Sequence, residues 1–291
     1  MAKFFGFVQF DIAGPLPLAD GRYLAGSPEG GDETVLVLQR LGAPALGERR
    51  RRRGRPSPAD PEPAPLTLTR ATVIRAAFPF TDQAEAARWL DQSSGDEDAT
   101  EALASEALAT LNRALHAQAV AAADPYGRQL TLDQAERVLL AYGSGEQAAD
   151  GRFADSRQVD LTPRTASRRR QREEELRPQE RVAAILRGRE QLDACETLLL
   201  RARADLDAGR GREAALQLRV GLEALLVELD DAIDDPNHER DMTTLQEQQA
   251  LATGLAQAAA KGQVSEEHAA KVEELLGLSE RTLRRRRVLR G

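Results

Sequence analysis

The stretch that most constrains what this chain can fold into runs from Arg212 to Leu229, REAALQLRVGLEALLVEL. Here Ala215, Leu218, Leu222, Leu225 and Leu229 recur at alternating steps of three and four. That spacing puts all five on one side of a helix, so the stretch marks a core. Three more helical patterns share this half of the chain. One opens at Pro178, whose missing N–H would be unpaired there anyway, and runs through Val182, Ile185, Leu186, Leu192, Cys195, Leu199 and Leu206 to Gly209. Another covers Met242 to Ala260. The last starts at Ser265 with Glu266 and Glu267 in its first turn, where acids interact favourably with the helix dipole. Short connections between four helices predict an antiparallel bundle over residues 178–291. Gly221 costs its helix about 1 kcal/mol relative to alanine and is expected to permit a close helix crossing.

The first half reads differently. Phe4 to Ile12 is rich in β-formers, an Asp-Gly turn at Asp20-Gly21 precedes Tyr23 to Ala25, and Thr34 to Leu41 and Leu66 to Phe80 supply two more strand candidates. Six of the seven phenylalanines lie in these segments, which marks a second core built on a small antiparallel sheet. Asp82 and Glu85 form a capping box before a short helix carrying Trp89 and Leu90, which is expected to cover the sheet. Thr100 to Ala123 reads as an alanine-rich helix with Leu103, Ala107, Leu111 and Leu115 four apart. Thr131 and Gln134 read as the box opening a further helix through Val138, Leu139 and Leu140 to Tyr142. Strands followed by helices predict an α+β fold: a small antiparallel β-sheet with covering helices over 1–154, then a charged linker over 155–177, then the α-helical bundle.

Function is less legible. The chain carries a net charge of −7, which gives no global attraction to nucleic acid or an anionic membrane. Only Lys3, Lys261 and Lys271 are lysines among its 40 basic residues, so arginine is used throughout and single arginines say little. The one cysteine, Cys195, cannot form an internal disulfide and fits a reducing compartment. With no apolar run long enough to span a membrane, a cytoplasmic protein without membrane contact is expected. Ser144 and Gln147 suit the capping box of a short helical turn ending at Gly151 better than a phosphate loop, since the lysine and the spacing of such loops are missing.

Two kinds of charged cluster remain. Arg49, Arg50, Arg51, Arg52 and Arg53 open an arginine- and proline-rich stretch, 48–65, expected to be disordered because it has almost nothing apolar to bury. Arg284, Arg285, Arg286 and Arg287, with Arg168 to Arg170, could likewise contact phosphates or an acidic partner. No aromatic residue is interleaved with Arg49 to Arg53 to stack on bases. From Pro178 to Glu280 there are 11 basic and 21 acidic residues, whereas Arg281 to Gly291 has six basic and no acidic ones. A basic end folded against an acidic bundle would neutralise both. The acidic cluster offers Asp231, Asp235, His238 and Glu239 as metal candidates. Asp230-Asp231-Ala232-Ile233-Asp234 also matches the DDxxD pattern of trans-isoprenoid synthases, whose aspartates bind magnesium. No aspartate follows Asp241, so the second motif of that family is missing and the match is set aside.

Neither a nucleophile motif nor a cofactor fingerprint surrounds Ser144 or Cys195. The leading expectation is therefore a non-catalytic interaction or scaffold protein with a protein partner, no cofactor and an oligomeric state that sequence does not reveal. A nucleic-acid-associated regulator using the arginine clusters is the second reading, and a metal-dependent enzyme centred on residues 230–239 the third.

Overall fold

The computed structural model of the 291-residue chain describes residues 3–26, 33–42, 67–160, 179, 181–229 and 235–290. The chain divides into two units, Met1–Pro163 and Arg164–Gly291, and the fold is α+β.

The first unit is a six-stranded antiparallel sheet with helices. Its strands are β1 (Phe4–Ala13), β2 (Gly21–Ala25), β3 (Thr34–Leu41), β4 (Leu68–Arg75), β5 (Ala135–Ser144) and β6 (Asp155–Gln158), in the order β2-β3-β4-β1-β5-β6. β1 is central, paired with β4 and β5, and its apolar residues are needed on both faces. Val8, Phe10 and Ile12 join Leu36, Leu38, Ala71, Val73, Val138 and Leu140 on the face covered by α1 (Gln83–Ser94) and α2 (Glu97–Ala121). Phe7 joins Val37, Ile74, Ala141 and Ala148 on the other, where the short α3 (Gly145–Ala149) sits. Asp82 caps α1 by accepting from Glu85 N, while the Glu85 carboxylate reaches back to Thr81. Ser144 and Gln147 form the box that starts α3, and Gly151 follows it with φ of +66°. Gly6 is a close approach: a Cβ there would stand 2.7 Å from the Trp89 ring, so only glycine lets α1 lie this near β1.

Two expectations for this unit are corrected. Residues 131–142 are not a helix. The Thr131–Gln134 box closes only one 3₁₀ turn, and the chain then enters β5 beside β1. Val138 to Tyr142 is a continuous apolar run buried on both sheet faces, a pattern whose period does not separate a strand from a buried helix. The linker expected from residue 155 instead begins with β6, and Val159 is buried behind it.

The second unit contains α4 (Ala194–Asp207), α5 (Gly211–Glu228), α6 (Pro236–Glu247), α7 (Gln249–Ala260) and α8 (Glu266–Arg290). The five stripe residues of α5 are all buried, among Cys195, Leu199, Leu245, Leu255, Val272, Leu276 and Leu283. Gly221 does mark a close crossing. A Cβ at that position would lie 3.0 Å from Leu199 Cδ2 and 3.3 Å from Leu198 Cβ.

Here too the boundaries shift. The single helix expected from Pro178 is broken: residues 181–186 are helical, Gly188 has φ of +69°, and α4 starts afresh at Ala194, which leaves Val182, Leu186 and Leu192 exposed. Pro178 itself lies outside the described residues. The helix expected from Met242 starts instead at Pro236 behind its Asp235 cap, and it ends at Glu247, with Gln248 leading into α7. No described helix is long and apolar enough to cross a membrane.

Candidate functional site

The charged end of the helical unit holds most of the residues singled out from sequence. Asp235 is extended, with φ of −142°, and its Oδ1 accepts from His238 N at 2.7 Å, so its carboxylate is the cap of α6. Glu239 is exposed in the first turn, and Asp231 lies outside the described residues, as do Asp230 and Asp234. Among the described residues no three His, Cys, Asp or Glu side chains are grouped as a metal centre would need.

His238 is the unusual member. Its side chain is buried at 2% exposure, and neither ring nitrogen has a hydrogen-bond partner. Burial, then the nearby Arg286 and Arg285 charges, push its pKa below the ordinary value, against the opposing pull of Asp235 and Asp241. The imidazole is therefore neutral in the fold and more basic in the unfolded chain. Its contribution to stability is full above about pH 6.5 and is lost as pH falls toward the depressed native value. Urea unfolding followed by helical circular dichroism should show stability beginning to fall as pH drops below about 6.5. In His238→Leu, which forfeits no hydrogen bond, that part of the fall should vanish. An unchanged slope in the variant would contradict the assignment.

The C-terminal arginines point into their own unit. Arg285 Nη1 donates to Asn237 O at 2.7 Å and pairs with the Asp241 carboxylate. Arg286 donates to Glu228 O at 3.1 Å and lies 3.8 Å from Asp193. Arg287 pairs with Glu196 Oε1 at 2.7 Å, while Arg181 takes Glu196 Oε2 at the same distance. Burial alone would raise the Glu196 carboxyl, but the bonds from Arg181 and Arg287 outweigh it and hold it below the usual range. Glu228 caps the start of α4, accepting from Ala194 N and Cys195 N. Among the described residues, Arg284 alone of the four bonds only within its own helix, to Glu280 O at 3.4 Å, and is exposed. The excess of acid in the bundle and the basic terminus thus meet in α8. Arg49 to Arg53 and Arg168 to Arg170 lie outside the described residues.

A second cluster was not foreseen. On the α3 side of the sheet, Asp11 stands directly opposite both Arg70 on β4 and Arg137 on β5. Arg70 grips it with two bonds of 2.8 and 3.2 Å, Arg137 with two of 3.0 and 2.6 Å. Two strand residues earlier on the same face, Gln9 Nε2 donates to Thr72 Oγ1 at 3.0 Å and to Gly151 O at 2.9 Å, tying the turn after α3 over the sheet. Burial would raise the Asp11 carboxyl, but the two guanidiniums bring it below the ordinary range. The available signal was the i, i+2 step from Gln9 to Asp11 in a strand otherwise apolar on that side. Pairing it with Arg137 required knowing that residues 135–144 are a strand. Cys195 is fully buried, and its thiol is pushed up to about 12, first by burial and then by Glu228, which leaves it a packing residue and a poor nucleophile.

On α5 an outward strip is left apolar. At 100° per residue, Leu216, Val220 and Val227 fall within about 40° of one another on α5, opposite the buried stripe. They are 42%, 45% and 77% exposed. Arg219 and Glu223 border this strip, joined by a half-exposed pair at 3.0 Å.

Comparison of the chain with protein-family models, with curated proteins and with solved structures finds no match in any of the three. Fold and clusters together define a two-unit α+β protein: an antiparallel sheet locked by a buried Asp–Arg pair of contacts, and a helical unit whose basic end closes on its own acids.

Proposed function

We propose that the protein is a non-catalytic interaction protein that engages a protein partner through the outward face of α5. The observation that carries this reading is the apolar strip of Leu216, Val220 and Val227 on a helix whose opposite side is already fully packed. A helix needs only one apolar stripe to join a core, and a second on its far side has no use in packing that core. The inward pairing of Arg285, Arg286 and Arg287 supports the same reading, because phosphate contacts there would compete with Asp241, Glu228 and Glu196.

The test is a capture experiment from the source cell with nuclease treatment in parallel. A protein should be retained by the wild-type chain with or without nuclease, and retention should drop at least about tenfold for Val220→Glu combined with Val227→Glu, since burying a charge costs several kcal/mol. Retention abolished by nuclease and weakened steeply by salt would favour the nucleic-acid reading instead.

A further inference from the structure

The strip on α5 has a charge pattern that fits itself. Counting 100° per residue from the buried Leu218, the strip is centred near 180°, with Arg219 and Glu223 on one flank and Glu213, Gln217 and Ala224 toward the other. Leu216 and Val227 are eleven residues apart, about 16 Å along the axis at 1.5 Å per residue, so the strip covers most of the helix. Two such helices can meet face to face in two ways. A parallel pair sets the Arg219 flank of one against the Glu213 flank of the other. In that parallel pair Arg219 and Glu213 stand six residues, about 9 Å, apart along the axis, whereas an antiparallel pair, equally closed by a two-fold axis, sets like flank against like flank.

Resting on the interaction reading above, we propose that the partner is a second copy of this chain, with the two α5 helices packed antiparallel. With the two-fold axis level with residues 221–222, Leu216 of one copy lies opposite Val227 of the other, and both Val220 side chains fall within one turn of the axis. In the same register Arg219 comes level with Glu223 of the other copy, to within about one residue, and the reverse contact follows by symmetry. Both side chains are about 40% exposed, 42% for Arg219 and 40% for Glu223, so each keeps surface open to a second copy. Opposed ends of the strip thus match by size at the centre and by charge at the rim, the arrangement that sets orientation in paired helices. Two chains of net charge −7 repel weakly, but at physiological salt the screening length of about 8 Å confines that repulsion while leaving close pairs intact. One helix face per copy is small for a stable dimer, and a transient equilibrium with Kd on the order of 10–100 μM is expected.

Sedimentation equilibrium on the full chain tests this. The wild type should move from monomer toward dimer across that concentration range. Val220→Glu with Val227→Glu should stay monomeric while keeping the wild-type circular dichroism spectrum. Arg219→Glu and Glu223→Arg should each weaken self-association about tenfold, because each sets like charges opposite one another. Mixing those two variants should restore dimer formation as a heterodimer, since every rim contact is then again between opposite charges; the repulsion each carries within its own helix is unchanged by mixing, so a purely local effect would not be rescued. A wild type that remains monomeric throughout, association that survives the two glutamates, or a mixture that is not rescued would overturn the proposal. If the wild type stays monomeric yet still retains a nuclease-resistant protein through Val220 and Val227, self-pairing fails and the interaction reading stands. If neither is seen, both fail.

Discussion

Leu222→Ala should lower the stability of the helical unit by about 2–5 kcal/mol, the cost of removing a fully buried leucine and leaving a cavity. Leu222 has no exposed surface, and it lies within the stripe of Ala215, Leu218, Leu225 and Leu229, among the side chains of the helical core. The backbone around it has little freedom to collapse inward. Next to it, Gly221 already lets α5 lie so close to α4 that a Cβ there would stand 3.0 Å from Leu199 Cδ2, which places the expected cost toward the upper part of the range. In urea, helical circular dichroism should show a lower midpoint with the slope unchanged, the signature of lost stability without a change in the surface exposed. A loss below about 1 kcal/mol would show that α5 is not the centre of this core.

Asp11→Ala should cost the sheet unit about 2–4 kcal/mol. Removing one partner of a buried ion pair typically costs about 3–5 kcal/mol, and the discount reflects guanidiniums that keep part of their hydration, Arg137 more than Arg70. Without the carboxylate, two cations face each other across β1. Trp89, the only tryptophan, packs on Phe80 and over Gly6 in this unit, so its fluorescence follows the sheet without interference from the bundle. The effect has a defined pH dependence. The native Asp11 carboxyl is held below the ordinary value near 4, so its stabilisation is complete at neutral pH and is lost as pH falls through the depressed native value. The gap between wild type and Asp11→Ala should therefore be wide at pH 7 and should narrow only once pH falls below about 4, the ordinary carboxylate value. A gap that persisted in acid would assign the loss to packing and not to charge.

How far the sequence alone reached depends on the kind of signal. The stripe of α5 was legible because five apolar residues at helical spacing have one physical explanation, and the caps at Asp82, Ser144 and Ser265 were legible because capping is local chemistry. Residues 135–144 were not. A run of apolar residues buried on two faces carries no period, and only the tertiary neighbour β1 decides between helix and strand. That one misreading also hid the Asp11–Arg137 contact, 126 residues apart in sequence. Helix breaks at Gly188 and Gln248 were missed because apolar spacing persisted across them, and spacing does not register a change of direction. At the charged end, composition anticipated that acids and bases would meet, whereas which arginine meets which acid is set by the packing of α8. The burial of His238 without a partner left no trace in sequence, since a histidine near aspartates reads the same whether it faces them or the core.

The central claim is that the outward face of α5 is a contact surface. It is tested most directly by site-specific photo-crosslinking, with a benzophenone side chain placed at position 220 and, as a control, at the exposed position 117 of α2. Irradiation in the source cell should give a discrete protein adduct from position 220 and none from position 117. No adduct from position 220, or adducts with nucleic acid alone, would contradict the account.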